Sequence, residues 1–403
     1  MASHLLTTTK FSALLVALLL SATACHDDPL PTGPDASPAP SVEALTASAA
    51  PAFVQVSPGS NFTCGLTAAG VIWCWGDNAH GQLGDGTTTR RLTPVVVRAG
   101  ALRFRHVAAA TYHTCALTTD GRAYCWGDNW YGQLGLGDGT HNPRLRPNPV
   151  AGGLTFRQLG AGGFGHTCGV TTAGRAYCWG NNQFGELGDG TETERDAPVP
   201  VAGGHVFSEV LPRGFVTCGT TTDHAAWCWG YGPFGQLGNG SGKELTPARV
   251  AGGLLFRHVS PGGSHTCGVT TDSRAYCWGD NYSGELGDGS TTNRERPRAV
   301  AGGLWFTGIT AAGPATCGIT SGGRVYCWGN NGVGVLGDGT TTNRLTPTAT
   351  AGNHLFERVN TGGAHTCAIT SNGRTFCWGS NNAGQLGDGT TIERHRPTRV
   401  IGG

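Results

Sequence analysis

The sequence predicts an all-β protein, a seven-bladed β-propeller built from four-stranded antiparallel blades. Three observations lead to this prediction: the motif Cys-x9-Cys-Trp-Gly occurs seven times, its copies begin 49 to 53 residues apart, and each period holds four strand-like pieces. A fixed repeat of this length is typical of solenoids, propellers and module arrays. Four short strands in each period match the composition of a propeller blade. The 68 glycines and the single methionine weaken any helical alternative.

Each repeat contains the same four pieces in the same order. The first is Phe-x-x-Val (Phe104 to Val107), the second Thr-Cys-small-aliphatic-Thr (Thr114 to Thr118), the third aromatic-Cys-Trp-Gly (Tyr124 to Gly127), and the fourth Pro-x-x-Val (Pro94 to Val97). The central strands are apolar on both faces, so each needs another sheet on either side, which radial stacking supplies. A proline at the start of the fourth piece favours the outer edge of the blade. The pattern leaves the phase of the blade boundaries open.

The second and third pieces predict a hairpin whose three-residue loop, Thr119 to Gly121, ends in a left-handed glycine. With this loop Cys115 lies directly opposite Cys125, and directly opposed residues share one face of a sheet. We therefore expect one disulfide within each blade; buried free cysteines that pack as small apolar residues are the alternative. The expected pairs are Cys64 with Cys74, Cys115 with Cys125, Cys168 with Cys178, Cys218 with Cys228, Cys267 with Cys277, Cys317 with Cys327, and Cys367 with Cys377.

Two further positions in the hairpin carry structural expectations. His224 and Ser273 replace the turn glycine in two blades, so these turns are expected to be strained or built differently. The residue between the second-strand cysteine and the aliphatic residue is always small, as at Ala116. We expect it to make room for a large ring, either the tryptophan of its own blade or that of a neighbour.

The N-terminal region predicts export and a tether. Residues 1–24 read as a signal peptide, because Lys10 precedes an apolar run of about ten residues that is too short to span a bilayer. Cys25 is the one cysteine without a partner, and its setting resembles a lipoprotein cleavage site. Residues 25–52 then form a disordered tether rich in Pro, Ala and Ser, and the propeller occupies residues 53–403. Free secretion with an unpaired thiol is the alternative to lipidation.

Charge and site patterns exclude several classes of function. The net charge is +1, and lysine and arginine do not cluster in the sequence beyond Arg90 and Arg91, so no nucleic acid partner is expected. His113 recurs at the same repeat position in only some blades, which favours a turn-stabilising hydrogen bond over catalysis or zinc. Asp-Gly-Thr tracts such as that at Asp85 offer one carboxylate per loop, too few for calcium, and favour a turn. We expect no catalytic residue, metal or cofactor.

The residues that vary between the copies point to binding. Positions after Trp-Gly-x-Asn and positions just before Thr-Cys meet at the end of the blade opposite the glycine turn. Aromatic side chains concentrate there in blades 2 to 5, and large rings supply much of the energy of protein interfaces. The alternative is that these rings cap the blade packing or line the central channel. Trp305 lies apart, on the opposite linkers. The predicted binding residues are Tyr112, Trp130, Tyr131, Phe164, Phe184, Phe215, Phe234 and Tyr282.

The unit His113 to Gly139, HTCALTTDGRAYCWGDNWYGQLGLGDG, resembles the regulator of chromosome condensation repeat. The resemblance covers residues 53 to 400 and implies a seven-bladed propeller. Its nuclear founding member is an exchange factor for a small GTPase and binds chromatin, and similar bacterial propellers include a secreted inhibitor of β-lactamases. This chain is expected to depart from the general pattern in its signal peptide, its paired cysteines and its lack of a basic face for chromatin. Fold therefore transfers better than activity.

The sequence thus predicts a monomeric, non-enzymatic binding propeller outside the cytoplasm, either an envelope lipoprotein or secreted. It engages a protein or a glycan through the aromatic end and meets a membrane only through Cys25. Guanine-nucleotide exchange by family analogy and an envelope-polymer enzyme without a recognisable motif are the alternatives.

Overall fold

The computed structural model describes residues 51–402, which form seven four-stranded antiparallel sheets. Within that range the sole helical element is a short 3-10 turn, Ala151–Gly153. The predicted signal peptide, Cys25 and nearly all of the predicted tether lie outside the described residues. In chain order the strands of blades 1 to 7 are Phe53–Pro58, Phe62–Thr67, Ile72–Gly76 and Arg91–Val96; Phe104–Ala109, His113–Thr118, Ala123–Gly127 and Arg144–Pro149; Phe156–Ala161, His166–Thr171, Ala176–Gly180 and Arg195–Pro200; Phe207–Arg213, Val216–Thr221, Ala226–Tyr231 and Lys243–Arg249; Phe256–Pro261, His265–Thr270, Ala275–Gly279 and Arg294–Ala299; Phe306–Ala312, Ala315–Thr320, Val325–Gly329 and Arg344–Ala349; and Arg358–Thr361, His365–Ile369, Thr375–Gly379 and Arg394–Arg399.

Each blade is one continuous stretch of chain, so the predicted fold is confirmed and the phase of the blades is fixed. The first strands contact one another around the central axis, and the fourth strands form the outer edges. The fourth strand differs from its sequence prediction: in blade 1 it runs from Arg91 to Val96, so Pro94 lies within it and not at its start. A proline is tolerated there because an edge strand leaves every second N–H group without a ladder partner.

The predicted hairpin register is confirmed in every blade. Cys115 pairs directly with Cys125, and the equivalent cysteines face each other in the other six blades. The expected bridge is present in all seven blades, so the alternative of buried free cysteines does not hold. The disulfides join Cys64 to Cys74, Cys115 to Cys125, Cys168 to Cys178, Cys218 to Cys228, Cys267 to Cys277, Cys317 to Cys327, and Cys367 to Cys377.

The turn of the hairpin also forms as predicted. Gly121 has a φ of 86°, in the left-handed region. His224 and Ser273 adopt the same conformation, with φ values of 67° and 69°. These two turns are therefore strained, not differently built.

The ring that fills the small-residue slot was predicted wrongly. The slot receives neither tryptophan, because a Cβ atom added to Gly65 would lie 2.6 Å from the ring of Phe53, in the first strand of the same blade. The tryptophan of the next blade lies instead against the glycine of the loop after the third strand, where a Cβ atom on Gly84 would be 2.6 Å from Nε1 of Trp126. Small residues at two places thus hold two rings, and together these rings form the core between blades.

Side-chain hydrogen bonds fasten each blade to the one before it. The carbonyl of Gln82 accepts bonds from Nε1 of Trp126 at 2.9 Å and from the hydroxyl of Thr114 at 2.8 Å. The tryptophan bond recurs at all seven interfaces, including the one between blades 7 and 1. No strand in the described range is shared between the two ends of the chain. Packing, these side-chain bonds and backbone bonds such as that from the Gly363 N–H to the Gly59 carbonyl close the ring.

The repeated histidine also forms hydrogen bonds between blades. The prediction that it stabilises a turn is therefore wrong. Nε2 of His113 lies 2.9 Å from the hydroxyl of Thr167 in the next blade. That hydroxyl donates its own proton to the carbonyl of Gln133, so the histidine must be the donor in the pair. Burial lowers the pKa of His113 to about 3. A neutral ring that is bonded between two blades is structural, as expected.

The repeated aspartate builds a turn, as predicted. The carboxylate of Asp85 accepts hydrogen bonds from the backbone N–H and the hydroxyl of Thr87, and it forms an ion pair with Arg91. Burial raises the pKa of Asp85, but the bonds from Thr87 and Arg91 outweigh it, and the net shift is downward. The carboxylate is therefore already satisfied by protein donors.

The two ends of the propeller differ in character. The turn face comprises the seven hairpin turns between second and third strands together with the starts of the first strands, which are joined by bonds such as the Phe156 N–H to the Gly121 carbonyl. The aromatic end, opposite it, comprises the loops between first and second strands and the loops after third strands. The expectation that a basic face is missing is wrong, because arginines about 50 positions apart in the sequence meet on the turn face. Its ten exposed arginines are Arg103, Arg105, Arg122, Arg157, Arg175, Arg257, Arg274, Arg324, Arg358 and Arg374.

Candidate functional site

An axial cavity of about 540 Å³ opens at the aromatic end. Its rim is a ring of small residues, one from the loop between first and second strands of each blade, and these loops pack tightly. A Cβ atom on Gly313, for example, would lie 2.1 Å from the carbonyl of Gly363 in the next blade. Larger residues would block the axis. The rim residues are Ser60, Thr111, Gly163, Gly214, Gly263, Gly313 and Gly363.

Aromatic rings form one side of this cavity. Phe164 and Phe215 stack with their ring centres 4.4 Å apart and their planes within 10°. Phe184 meets the edge of Phe215 and stacks on Tyr231, each at 4.9 Å. Phe234 also lines the cavity and is 47% exposed. Because several of these rings remain partly exposed, the wall presents apolar surface that a ligand could bury.

Arg213 lies at the base of the cavity, across the axis. It ends the first strand of blade 4, and its guanidinium donates a 3.2 Å bond to the carbonyl of Thr361 in blade 7. No carboxylate within residues 51–402 forms an ion pair with it. Burial lowers the pKa of Arg213 to about 10. It remains a cation at neutral pH, with most of its five N–H donors available to a ligand.

Two buried glutamates lie in the loops beside the aromatic wall. Glu285 lines the axial cavity, and burial and then the neighbouring carboxylate of Asp280 raise its pKa. Burial also raises the pKa of Glu186, whose Oε1 is enclosed with no hydrogen-bond partner in the described range. In blades 1 and 2 the same position is a glutamine that donates to an aspartate, as Gln133 does to Asp128 at 2.8 Å. The two glutamates therefore replace a donor with an acid on the side of blades 3 and 5.

The predicted binding residues fall into three groups. Phe164, Phe215 and Phe234 line the axial cavity, and Phe184 supports their stack. Tyr112 and Tyr131 line a neighbouring cavity of about 360 Å³, which shares Phe164 and Phe215 with the axial one. Trp130 and Tyr282, at 70% and 84% exposure, stand outside the lining of both.

Two residues of the site were missed from the sequence, although a signal existed for each. Arg213 occupies a position that is Gly or Ala in every other blade, such as Gly162. In three of the four blades that have the repeated histidine, this position is a glycine that leaves room for the imidazole; a Cβ atom on Gly162 would lie 2.8 Å from the ring of His166. Blade 4 has Val216 instead of histidine, so a long side chain fits. Tyr231 is the one aromatic residue directly after Trp-Gly.

A second, smaller cavity of about 290 Å³ lies between the first strands, and Arg213 lines both this cavity and the axial one. It contains the ion pair of His258 and Glu209 at 2.8 Å. Within residues 51–402, no three His, Cys, Asp or Glu side chains come together in a way that could hold a metal ion.

Comparison with known proteins identifies the repeat. A sequence model of the regulator of chromosome condensation repeat matches residues 69–117, 120–170, 173–211, 223–269, 322–369 and 372–403. The chain belongs to this family. A second model of the repeat matches six segments between residues 53 and 385, among them 299–335, which covers part of the stretch 270–321 that the first leaves unmatched.

Members of the regulator of chromosome condensation family with curated functions match only part of this chain. The ultraviolet-B receptor UVR8 of Arabidopsis thaliana is 40% identical over 139 residues, which is 34% of this chain and 31% of the receptor. The probable E3 ubiquitin-protein ligase HERC4 of Homo sapiens is 33% identical over 150 residues, which is 36% of this chain and 14% of the ligase. The matched region thus spans less than a third of either relative.

Solved structures of the regulator of chromosome condensation fold cover the propeller as a whole. Human WBSCR16 superimposes with a TM-score of 0.74 at 21% identity, covering 82% of this chain and 94% of that protein. Yeast RCC1 (Prp20), in its structure with Kap60, gives a TM-score of 0.73 at 19% identity, covering 92% and 90%. At these identities the likeness shows the fold alone.

Within the described range, no helix is long and apolar enough to cross a membrane.

Proposed function

We propose that this protein is a non-catalytic binding propeller that works outside the cytoplasm and engages a protein or glycan partner at its aromatic end. The observation that carries the proposal is the axial cavity, where Phe164, Phe215 and Phe234 form an apolar wall above the unpaired Arg213. Such sites combine apolar surface with a few polar groups that fix the orientation of the ligand. The rigid ring of blades holds these groups in place without a partner.

Family members give the proposal a precedent in protein binding. The structure of Prp20p from Saccharomyces cerevisiae is titled with its binding properties to Gsp1p and histones, and it resembles this chain with a TM-score of 0.72 at 21% identity. Aromatic faces also stack on sugar rings, so the site chemistry suits a glycan as well. The test must therefore separate the two classes of partner.

Capture of partners from native envelope extract tests the binding end. Tagged protein is compared with the Phe164→Ala/Phe234→Ala variant, both rings being about half exposed and so removable without damage to the core. Trp130→Ala, at the same end but outside the cavity, and Trp305→Ala, on the turn face, are the matched controls. We expect the double variant alone to lose its partner. Equal capture by all four proteins would refute the cavity as the binding site.

The class of partner follows from treating the captured material. Protease digestion should abolish capture of a protein, whereas glycosidase digestion should abolish capture of a glycan. Direct titration of the purified partner against wild type and Phe164→Ala/Phe234→Ala then gives the loss in affinity. Removal of two half-exposed rings from an interface should weaken binding by roughly a hundredfold.

The location outside the cytoplasm is supported by the seven disulfides, since such bonds persist in oxidising compartments. Lipidation of Cys25 remains part of the proposal. Metabolic labelling with a fatty acid should mark the wild-type protein and leave Cys25→Ser unlabelled. Labelling of both proteins, or of neither, would contradict a lipid at this residue.

A further inference from the structure

The turn face combines a strong positive charge with exposed apolar side chains. Its ten exposed arginines stand against the four carboxylates of Asp120, Asp223, Asp272 and Glu357, a formal excess of six positive charges. The chain as a whole has a net charge of +1. The rest of the chain therefore has a formal net charge of −5 (1 − 6), so the positive charge is concentrated on this one end.

The apolar residues of the turn face form an arc through four successive blades. Each directly precedes the first phenylalanine of its blade, which opens the first strand in blades 4 to 6 and lies two residues before it in blade 7, so all four occupy equivalent places in the repeat. They are large and accessible, with exposures of 47%, 46%, 55% and 58% for Val206, Leu255, Trp305 and Leu355. The equivalent residues of blades 1 to 3 are Ala52, Arg103 and Thr155. The exposed apolar side chains at this position are thus confined to blades 4 to 7 of the turn face.

Trp305 brings the two properties together. The guanidinium of Arg274 lies over its indole ring, 4.6 Å from the ring centre. Tryptophan and arginine side by side suit the interface of a bilayer, where the ring enters the headgroup layer and the cation meets lipid phosphates. A polymer that offers only phosphates would gain little from exposed Leu255, Leu355 and Val206.

The chain also enters the propeller on this face. Pro51 and Ala52 lie beside the hairpin turn of blade 7, where a Cβ atom on Gly373 would be 3.0 Å from Cβ of Ala52. Pro51, the first described residue, therefore lies on the turn face and not at the aromatic end.

We infer that the turn face docks on the surface of an anionic lipid bilayer, with Trp305 and Leu355 entering the headgroup layer and the arginines pairing with lipid phosphates. This docking is independent of lipidation at Cys25 and of the partner at the aromatic end. It holds the propeller with its axial cavity directed away from the membrane.

Vesicle binding tests the inference on the full chain carrying Cys25→Ser, which cannot be lipidated at that residue. We expect it to co-sediment with vesicles of phosphatidylcholine and phosphatidylglycerol, to bind phosphatidylcholine alone far more weakly, and to be released by high salt. Each arginine near the surface contributes about fivefold in affinity, so Arg324→Glu/Arg374→Glu should weaken binding at least a hundredfold. Arg146→Glu/Arg296→Glu changes the net charge equally on exposed outer strands and should change binding little.

Fluorescence locates the face that touches lipid. Trp305 and Trp130 are the exposed tryptophans of the described range, on opposite ends, and the seven interface tryptophans are fully buried. Brominated lipid should quench the wild type and Trp130→Phe, and quenching should disappear in Trp305→Phe. Quenching that is lost in Trp130→Phe instead would overturn the proposed orientation.

Nucleic acid is the competing occupant of a basic face. If duplex DNA binds as tightly as the anionic vesicles, and if Trp305→Ala/Leu355→Ala weakens neither, the inference is wrong and the face is a phosphate-binding surface. If the apolar variant weakens vesicle binding on the order of tenfold and leaves any DNA binding unchanged, lipid is supported.

Discussion

The imidazole of His365 lies 2.8 Å from the hydroxyl of Thr63, and this contact joins the last blade of the propeller to the first. The same hydroxyl donates to the carbonyl of Gln385 at 2.9 Å, so one threonine bridges two groups of blade 7. At the other six interfaces a covalent linker also connects the blades. The closure between blades 7 and 1 has no such linker and relies on packing and hydrogen bonds, among them the backbone bond from the Gly363 N–H to the Gly59 carbonyl. Thr63 is therefore a sensitive place to test the ring.

Replacing Thr63 with valine should weaken the closure. The change keeps the shape but leaves the buried Nε2 of His365 without a partner and the Gln385 carbonyl with the bond from Trp75 alone, at a cost of about 1–3 kcal/mol. Thr217→Val removes the same bonds, to His166 and the carbonyl of Glu186, at an interface with a linker. Both variants should unfold at a lower denaturant concentration than the wild type. Only Thr63→Val should increase the rate of amide hydrogen exchange in blades 1 and 7. Equal exchange in the two variants would show that the linker adds nothing.

Acid should destabilise the ring through its buried histidines. Burial lowers the pKa of His166 and His365 to about 3 and that of His265 to about 4, whereas the unfolded value is 6.5. Below pH 6.5 these histidines bind protons in the unfolded chain but stay neutral in the folded protein. The free energy of unfolding therefore falls as the pH falls from 6.5 towards 3. Denaturation midpoints at pH 7.5 and pH 5 measure this loss. His365→Gln has one group fewer that titrates between pH 6.5 and 3, so its denaturation midpoint should change less between pH 7.5 and pH 5 than that of the wild type. If both proteins lose the same amount, His365 does not contribute to the acid sensitivity.

How far the sequence could predict the fold depends on how local each signal was. The disulfide register followed from one hairpin, because a three-residue loop sets which residues face each other. The small slot was misassigned, since Gly65 faces a phenylalanine from the previous strand, and only the assembled sheet shows which of several rings is nearest. The basic turn face was missed for a related reason: its arginines are dispersed along the chain and meet only when the ring closes.

The candidate site was predicted in part. Phe164, Phe215 and Phe234 were found because aromatic residues at variable repeat positions are visible in an alignment of the copies. Arg213 was overlooked because its position looked structural, being Gly or Ala elsewhere. Whether a side chain reaches across the axis depends on the neighbouring loops and cannot be inferred from one repeat.

The strained turn at His224 should be relieved by glycine. His224 has a φ of 67°, a conformation that costs a residue with a side chain about 1 kcal/mol, and glycine fills this place in five other blades. We expect His224→Gly to raise the denaturation midpoint accordingly. Gly70→Ala places a side chain in the same conformation in blade 1, where the new Cβ atom would also lie 2.9 Å from the carbonyl of Phe104, and should lower it. A fall in stability for His224→Gly would show that the imidazole makes a compensating interaction.

The disulfides should stabilise the propeller one blade at a time. Each closes a loop of about ten residues, so the chain-entropy model assigns roughly 3 kcal/mol to a single bridge. Cys115→Ala/Cys125→Ala should lower the free energy of unfolding by about that amount, whereas Cys25→Ser, outside the described residues, should leave it unchanged. Mass spectrometry without reduction should find seven linked peptides, from the Cys64 to Cys74 bridge of blade 1 to the Cys367 to Cys377 bridge of blade 7. If fourteen thiols react with an alkylating agent in the unreduced protein, the paired cysteines act as apolar packing, and the double alanine variant should then cost only the small cavity it leaves.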